Sequence, residues 1–215
     1  MTKKIKIQKP NIPRGIQQGS FNVDEEDMSL STTLIQNCTI SAEELNRLIV
    51  DQVVFKNVLF KDVIFHKCEL TDCIFDHCDL SNADLSGCIV HRVHFLECKL
   101  LGTNFSEGTF GNVQFDTCLM KWGAFGFSRQ KNVSYASCML EESDFYECLL
   151  QKVTIQHCNI NGTNFANTCL YEIDLRTDTF ERLQITLPEL KGCTVTSEQA
   201  IGFARLLGLK INDDV

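Results

Sequence analysis

The sequence predicts an all-β solenoid, and two interlocked residue series predict it. From Phe55 to Leu190 every fifth residue is apolar or aromatic, with Gln130 the single polar exception. Two residues earlier runs a second series of mostly small or β-branched side chains, opened by Val53, Val58, Val63, Cys68, Cys73 and Cys78. Neither the helical period of about 3.6 nor the strand period of about 2 generates such a spacing. Each unit therefore reads small, x, large, x, x. A two-residue step puts both side chains on one side of an extended segment. The remaining positions are mostly polar and supply an outward turn. Five residues bury nothing alone, so the units must stack on one another as solenoid repeats do.

The unit resembles the pentapeptide-repeat family, whose motif is a small residue, Asn or Asp, Leu or Phe, then two polar residues. CDLSN at 78–82, ADLSG at 83–87, TNFSE at 103–107 and TNFAN at 163–167 carry the resemblance. It covers 53–192 without a phase break. It implies a right-handed β-helix of square cross-section, with four pentapeptides per coil, about seven coils and a rod roughly 34 Å long at the ordinary strand spacing. Residues twenty apart then lie above one another. Phe55, Phe75, Phe95, Phe115 and Tyr135 are expected to form one aromatic column, and GTNF recurs at 102–105 and 162–165 on one face.

Three segments follow from the phase. Residues 1–52 are expected to hold a basic, loosely held tail, a partial coil at 32–40 and a short capping helix. In that helix Ser41 and Glu44 fit a capping box ahead of Leu45, Leu48 and Ile49. Residues 53–192 form the repeat rod. Residues 193–215 carry a C-terminal helix with Thr196 or Ser197 at its start. Ile201, Phe203, Leu206, Leu207 and Leu209 make this helix apolar around much of its circumference, more than one rod end buries. It is expected to join two copies in a homodimer.

Composition excludes several classes of function. Acidic residues number 28 against 20 basic ones, a net charge of -8, and such a surface repels nucleic acid. No apolar leader or membrane-length run is visible, so a cytoplasmic protein is expected. There are 12 cysteines, and in a reducing compartment disulfides are not expected. All but Cys169 stand at the small inward position, where a free thiol acts as a small hydrophobe. The ligand-like cluster HKCELTDCIFDHC at 66–78 resolves the same way: Cys68, Cys73 and Cys78 enter the core from different walls, while His66 and His77 face solvent. No metal, cofactor or catalytic constellation is expected. Ser128 and Lys131 have a hydrolase-like spacing without partner motifs.

Function then belongs to the surface. Asp72, Asp76, Asp79, Glu97, Asp116, Glu141, Glu142 and Asp174 are assigned to an acidic face, with Asp178 and Glu181 as further outward acids. The column centred on residue 70 is locally basic, with His91, Arg92, Arg129, Lys131 and Lys152. KWGAFGFSRQK at 121–131 holds the lone Trp122 and the inward Gln130, and is expected to mark a bulge or altered wall. Length and the C-terminal helix resemble the Qnr-type members that protect bacterial type II topoisomerases from quinolones. The unbroken phase leaves no room for the loops some of those members carry, so the resemblance is to the loop-free ones. It implies a DNA-mimicking dimer that binds DNA gyrase or topoisomerase IV. The alternative is an interaction scaffold with another protein partner.

Overall fold

The computed structural model describes residues 6–23, 26–206 and 208–210. Among the described residues, nine parallel strands, a short 3-10 helix (Leu187–Leu190) and one C-terminal α-helix make up the regular structure. The strands are β1 (Ser29–Ser31), β2 (Leu34–Ser41), β3 (Ile49–Asp51), β4 (Val54–Lys61), β5 (Glu69–Asp76), β6 (Ile89–Leu96), β7 (Thr109–Asp116), β8 (Arg129–Ala136) and β9 (Leu149–Gln156); the helix is α1 (Ser197–Leu206). The order β1-β3-β5-β6-β7-β8-β9, with every register offset by one coil, is that of a β-solenoid. Phe55 pairs with Phe75, then Phe95, Phe115, Tyr135 and Ile155.

The backbone turns because every fifth residue from Thr32 to Glu172 is left-handed, with φ between 47° and 73°. Asn, Asp and Gly adopt this conformation at least cost. Asn57, Asp62, Asn82, Gly87, Gly102, Asn112, Asn132, Gly162 and Asn167 occupy corners. From β5 onward two walls carry the long strands, which bend within themselves at corners such as Asp72. The other two are joined by single rungs such as Asp79–Lys99 and Asp84–Asn104.

The core is the stack of inward side chains. Rings in the expected column lie parallel at 4.8 Å from Phe55 to Phe115 and at 5.0 Å from Phe115 to Tyr135. A second column runs through Phe105, Phe125, Phe145 and Phe165 at 4.8–5.3 Å. The two columns meet edge to face, as in Phe115–Phe125 at 6.1 Å. Each aromatic pair adds about 0.5–1.5 kcal/mol beyond the area it buries.

The small inward position has a chemical preference that the repeat explains. Its hydroxyl or thiol donates to the carbonyl of the large residue one coil below. Thr103 reaches Leu80 at 2.8 Å, Ser143 reaches Met120 at 2.8 Å, and Cys98 reaches Phe75 at 3.3 Å. A buried donor is thus satisfied inside an apolar core. All the cysteines are free, and burial pushes the Cys73 thiol up to about 12.

The start of the rod departs from expectation in two ways. No helix follows Ser41. Ile40, Leu45 and Val50 keep the five-residue phase, and residues 41–50 wind as a further half-coil. Leu45 N–H donates to Ile64 carbonyl and Arg47 N–H to His66 carbonyl, each at 2.9 Å. A ten-residue helix has marginal stability alone, whereas the coil gains a backbone ladder and buries Leu48 (1% exposed).

The N-terminal tail is not loose over its described residues. It runs back along a corner of the rod. Gln8 N–H donates to Asn112 Oδ1 (3.3 Å) and Asn11 N–H to Asp72 Oδ1 (2.8 Å). Leu34 N–H then bonds Gln17 carbonyl and Gly19 N–H bonds Leu34 carbonyl, both at 2.9 Å. Phe21 stacks over Phe65 at 6.2 Å, and Phe21 and Val23 pack on the core. This segment covers the end that the expected helix was to cover.

At the other end Thr196 and Gln199 cap α1 reciprocally, with bonds of 2.9 and 3.1 Å. Gln199 Nε2 also donates to the carbonyls of Leu175 (2.9 Å) and Asp178 (3.1 Å). Phe203 rests on Phe180, ring centroids 5.6 Å apart. None of the described helices is long and apolar enough to cross a membrane.

Candidate interaction surfaces

Outward side chains project from a rigid lattice, so an acid meets neighbours one coil away or beside it on the same corner. Asp76 lies between Lys56 (3.4 Å) and His77 (2.5 Å), and His77 also reaches Glu97 (3.1 Å). Partial burial opposes ionisation of Asp76, but the hydrogen bonds from His77 and Lys56 prevail and hold it below the usual carboxylate range. The Asp76 hydrogen bond in turn raises His77 above the ordinary imidazole value. Asp79 bonds Ser81 (2.6 Å) and lies 3.8 Å from Lys99. Asp116 accepts from the Thr117 hydroxyl (3.1 Å), and Glu142 from Trp122 Nε1 (2.9 Å). Asp174 is gripped by Arg176 through two bonds of 2.9 and 2.7 Å, which lowers its pKa. Glu141 is half-buried, on the same wall as Asp79.

Two acids leave the expected outer face. Asp72 is only 4% exposed. It sits under the N-terminal strap and accepts two bonds from Arg92 (2.7 and 2.6 Å) as well as the Asn11 amide. The Arg92 guanidinium holds its carboxyl below the usual range. Asp178 is 5% exposed and occupies the small inward slot above Cys158. One oxygen accepts from Cys158 N–H (2.8 Å) and the other has no partner. Burial pushes its pKa up to about 7.

The stretch 121–131 is regular. Gln130 pairs in register between Phe110 and Leu150, so the expected bulge is absent. Gln130 is instead part of a buried polar chain. Its amide donates to Ser128 Oγ (3.1 Å), its carbonyl oxygen accepts from Tyr135 Oη (3.0 Å), and Ser128 meets Cys148 Sγ at 3.3 Å. Gln130, the polar exception in the inward series, and Tyr135, the one ring of that series that carries a hydroxyl, thus satisfy each other. Trp122 stands outside at a corner, 56% exposed, with Lys121 Nζ 4.5 Å over its ring.

Of the residues assigned to a dimer face, Phe203 faces the rod, while Ile201 is 38% and Leu209 55% exposed. Leu206 ends α1, and Leu207 lies outside the described residues. Among the described residues no group of three His, Cys, Asp or Glu is arranged to hold a metal ion.

The pairs that the sequence reading missed share one signal. Lys56–Asp76, Asp72–Arg92, His77–Glu97, Asp79–Lys99 and Trp122–Glu142 are each separated by one coil in sequence. Reading complementary types at that interval finds them.

A rod of stacked five-residue units with a packed interior, and with its polar chemistry displayed on flat walls, is the architecture of a solenoid repeat protein. The chain belongs to the pentapeptide-repeat family: the model of the pentapeptide repeat region matches residues 68–133 and 128–200. An uncharacterized protein of Bacillus subtilis, YisX, is 42% identical over 210 residues, spanning 97% of this chain and 99% of that protein. Among solved structures, full-length QnrB1, a plasmid-mediated fluoroquinolone resistance protein, aligns over 82% of this chain and 100% of its own at 14% identity and a TM-score of 0.35. HetL, a pentapeptide-repeat protein involved in heterocyst differentiation regulation in the cyanobacterium Nostoc, aligns over 86% of this chain and 89% of its own at 14% identity and a TM-score of 0.32.

Proposed function

We propose that this protein is a non-catalytic, cytoplasmic binding rod whose partner is a bacterial type II topoisomerase, DNA gyrase or topoisomerase IV. The single observation that supports the reading is the arrangement of outward acids at fixed coil intervals. Asp76 and Asp116 stand two coils apart on one wall, Glu97 lies on the adjoining corner, and Asp79 lies on the next wall. A rigid row of carboxylates on a chain of net charge -8 presents a DNA-like potential to a cationic DNA-binding surface. Contact there shields the enzyme from quinolones. Glu141, Glu142 and Asp174 extend the proposed contact. Exposed Ile201 and Leu209 support the companion proposal of a homodimer joined through the C-terminal helices.

The test is a gyrase supercoiling assay with ciprofloxacin, with and without added chain. The reading predicts that more drug is needed for half-inhibition as chain is added. No shift at any stoichiometry overturns it. A second reading, a scaffold for another protein, gains support from the closure of Asp76 and Asp174 by neighbouring cations and of Asp72 by Arg92 and the strap. Each leaves one less carboxylate free for a cationic partner.

A further inference from the structure

We propose that the wall formed by β8, β9 and residue 169 is a docking groove for an extended acidic segment of a partner protein. This face lies apart from the acids invoked above and holds the opposite charge. Three observations converge on it.

The first is an interrupted backbone ladder. Ile49 N–H bonds Met28 carbonyl at 2.8 Å, and the same rung recurs at Glu69, Ile89, Thr109, Arg129 and Leu149. It stops there: among the described residues no backbone hydrogen bond joins 149–156 to 169–176. At equivalent corners Thr32 N–H reaches Asp51 carbonyl and Gln52 N–H reaches Thr71 carbonyl, each at 3.0 Å; Lys152 makes no such bond. Side chains bridge this seam instead, Thr168 Oγ1 accepting from Cys148 N–H at 2.8 Å and Thr177 Oγ1 from His157 N–H at 3.2 Å. Backbone donors and acceptors on the rim of a parted seam suit strand addition, in which an extended peptide gains affinity from the main chain.

The second is the groove itself, about 540 Å³, lined by Thr109, Arg129, Lys131, Leu149, Leu150 and Cys169 among others. Its surface is mainly apolar, and Leu149 is 64% exposed, more than any other large hydrophobic residue described. The third is charge. Arg129, Lys131 and Lys152 are exposed and form no ion pair among the described residues, whereas Arg92 and Arg176 elsewhere on the rod are each clamped on a carboxylate. Glu147 and Glu172 sit on the flanking corners, where Glu147 accepts from Asn167 (3.4 Å). Unpaired cations beside an apolar floor select a peptide that alternates acidic and apolar residues. They do not suit nucleic acid, because the ring that lines the groove, Phe110, is only 1% exposed and the chain as a whole is acidic.

The experiment uses the full chain and a fluorescein-labelled octapeptide of alternating Glu and Val, read by anisotropy. Saturable binding in the range of about 1–100 μM is expected. The R129E/K131E variant, altered at two exposed positions, should lose about tenfold or more in affinity. In the wild-type chain, saturating peptide should slow maleimide labelling of the groove thiol Cys169 and leave exposed Cys38 unchanged, a readout that needs no variant. No binding at about 1 mM peptide, equal affinity of the double variant, or unchanged labelling of Cys169 overturns the proposal. So does tighter binding of an oligo-dT strand, which would make the wall a nucleic-acid site.

Discussion

Trp122, Phe127 and Thr117 sit at corners with φ of 60°, 61° and 56°, a conformation that bulky and β-branched residues adopt at a cost. The sequence marks the corner as polar but not as left-handed, because the requirement is on the backbone and the lattice imposes it on whichever side chain is present. Inward positions were legible because packing leaves them little choice. Gln130 was visible as an exception, and its meaning lay in a second exception five residues on. Tyr135→Phe strands the buried Gln130 oxygen, and Gln130→Leu strands the Tyr135 hydroxyl. Each single change is expected to cost about 1–3 kcal/mol. The double variant restores the apolar repeat and should fall within about 1 kcal/mol of wild type. A denaturation double-mutant cycle measures this, and additive losses would contradict the pairing.

At the scale of elements, the strands and the C-terminal helix follow from periodicity and a cap, while the N-terminal helix does not. Ser41 to Val50 satisfies a helix signature and the five-residue phase at once. The phase prevails because it adds to an existing lattice, whereas the helix needs its own nucleus. The strap was illegible because its contacts, such as Asn11 with Asp72, join residues far apart in sequence outside any repeat. Asp178 read as outward because the series weakens there; in fact it fills an inward slot beneath the coil that carries α1.

Its folded-state pKa of about 7 lies well above the ordinary aspartate value of 3.8. The native chain therefore holds a proton that the unfolded chain releases. Stability from this group is present below about pH 4 and is lost as pH rises to about 7. The lowered carboxylates Asp72 and Asp174 act only in more acid solution. His94, whose pKa is lowered by burial, works in the opposite direction as pH falls through the imidazole range. The diagnostic is thus the difference between wild type and Asp178→Asn. Melting curves should show the variant gaining on wild type between about pH 4 and pH 7, by about 1–3 kcal/mol or more at the upper end, and levelling off above it. A difference that does not vary with pH would contradict the burial of an ionisable carboxyl there.

Across the whole molecule, the repeat made the fold readable and left the surface half-read. A five-residue phase specifies what points inward, and every outward residue is free to vary. Which outward acids remain available depends on partners one coil away and on the strap: Asp72 leaves the acidic face, Asp76 and Glu97 stay outward but share His77, and Asp116 stays outward with no ion pair among the described residues. The central claim is that this acidic rod binds a type II topoisomerase as a protein partner. Sedimentation velocity with a labelled chain tests it most directly, alone and with purified gyrase or topoisomerase IV. A dimer is expected alone, and with the enzyme a boundary that moves with it at micromolar concentrations and is released by competing duplex DNA. A boundary unmoved by either enzyme at about 50 μM would contradict it.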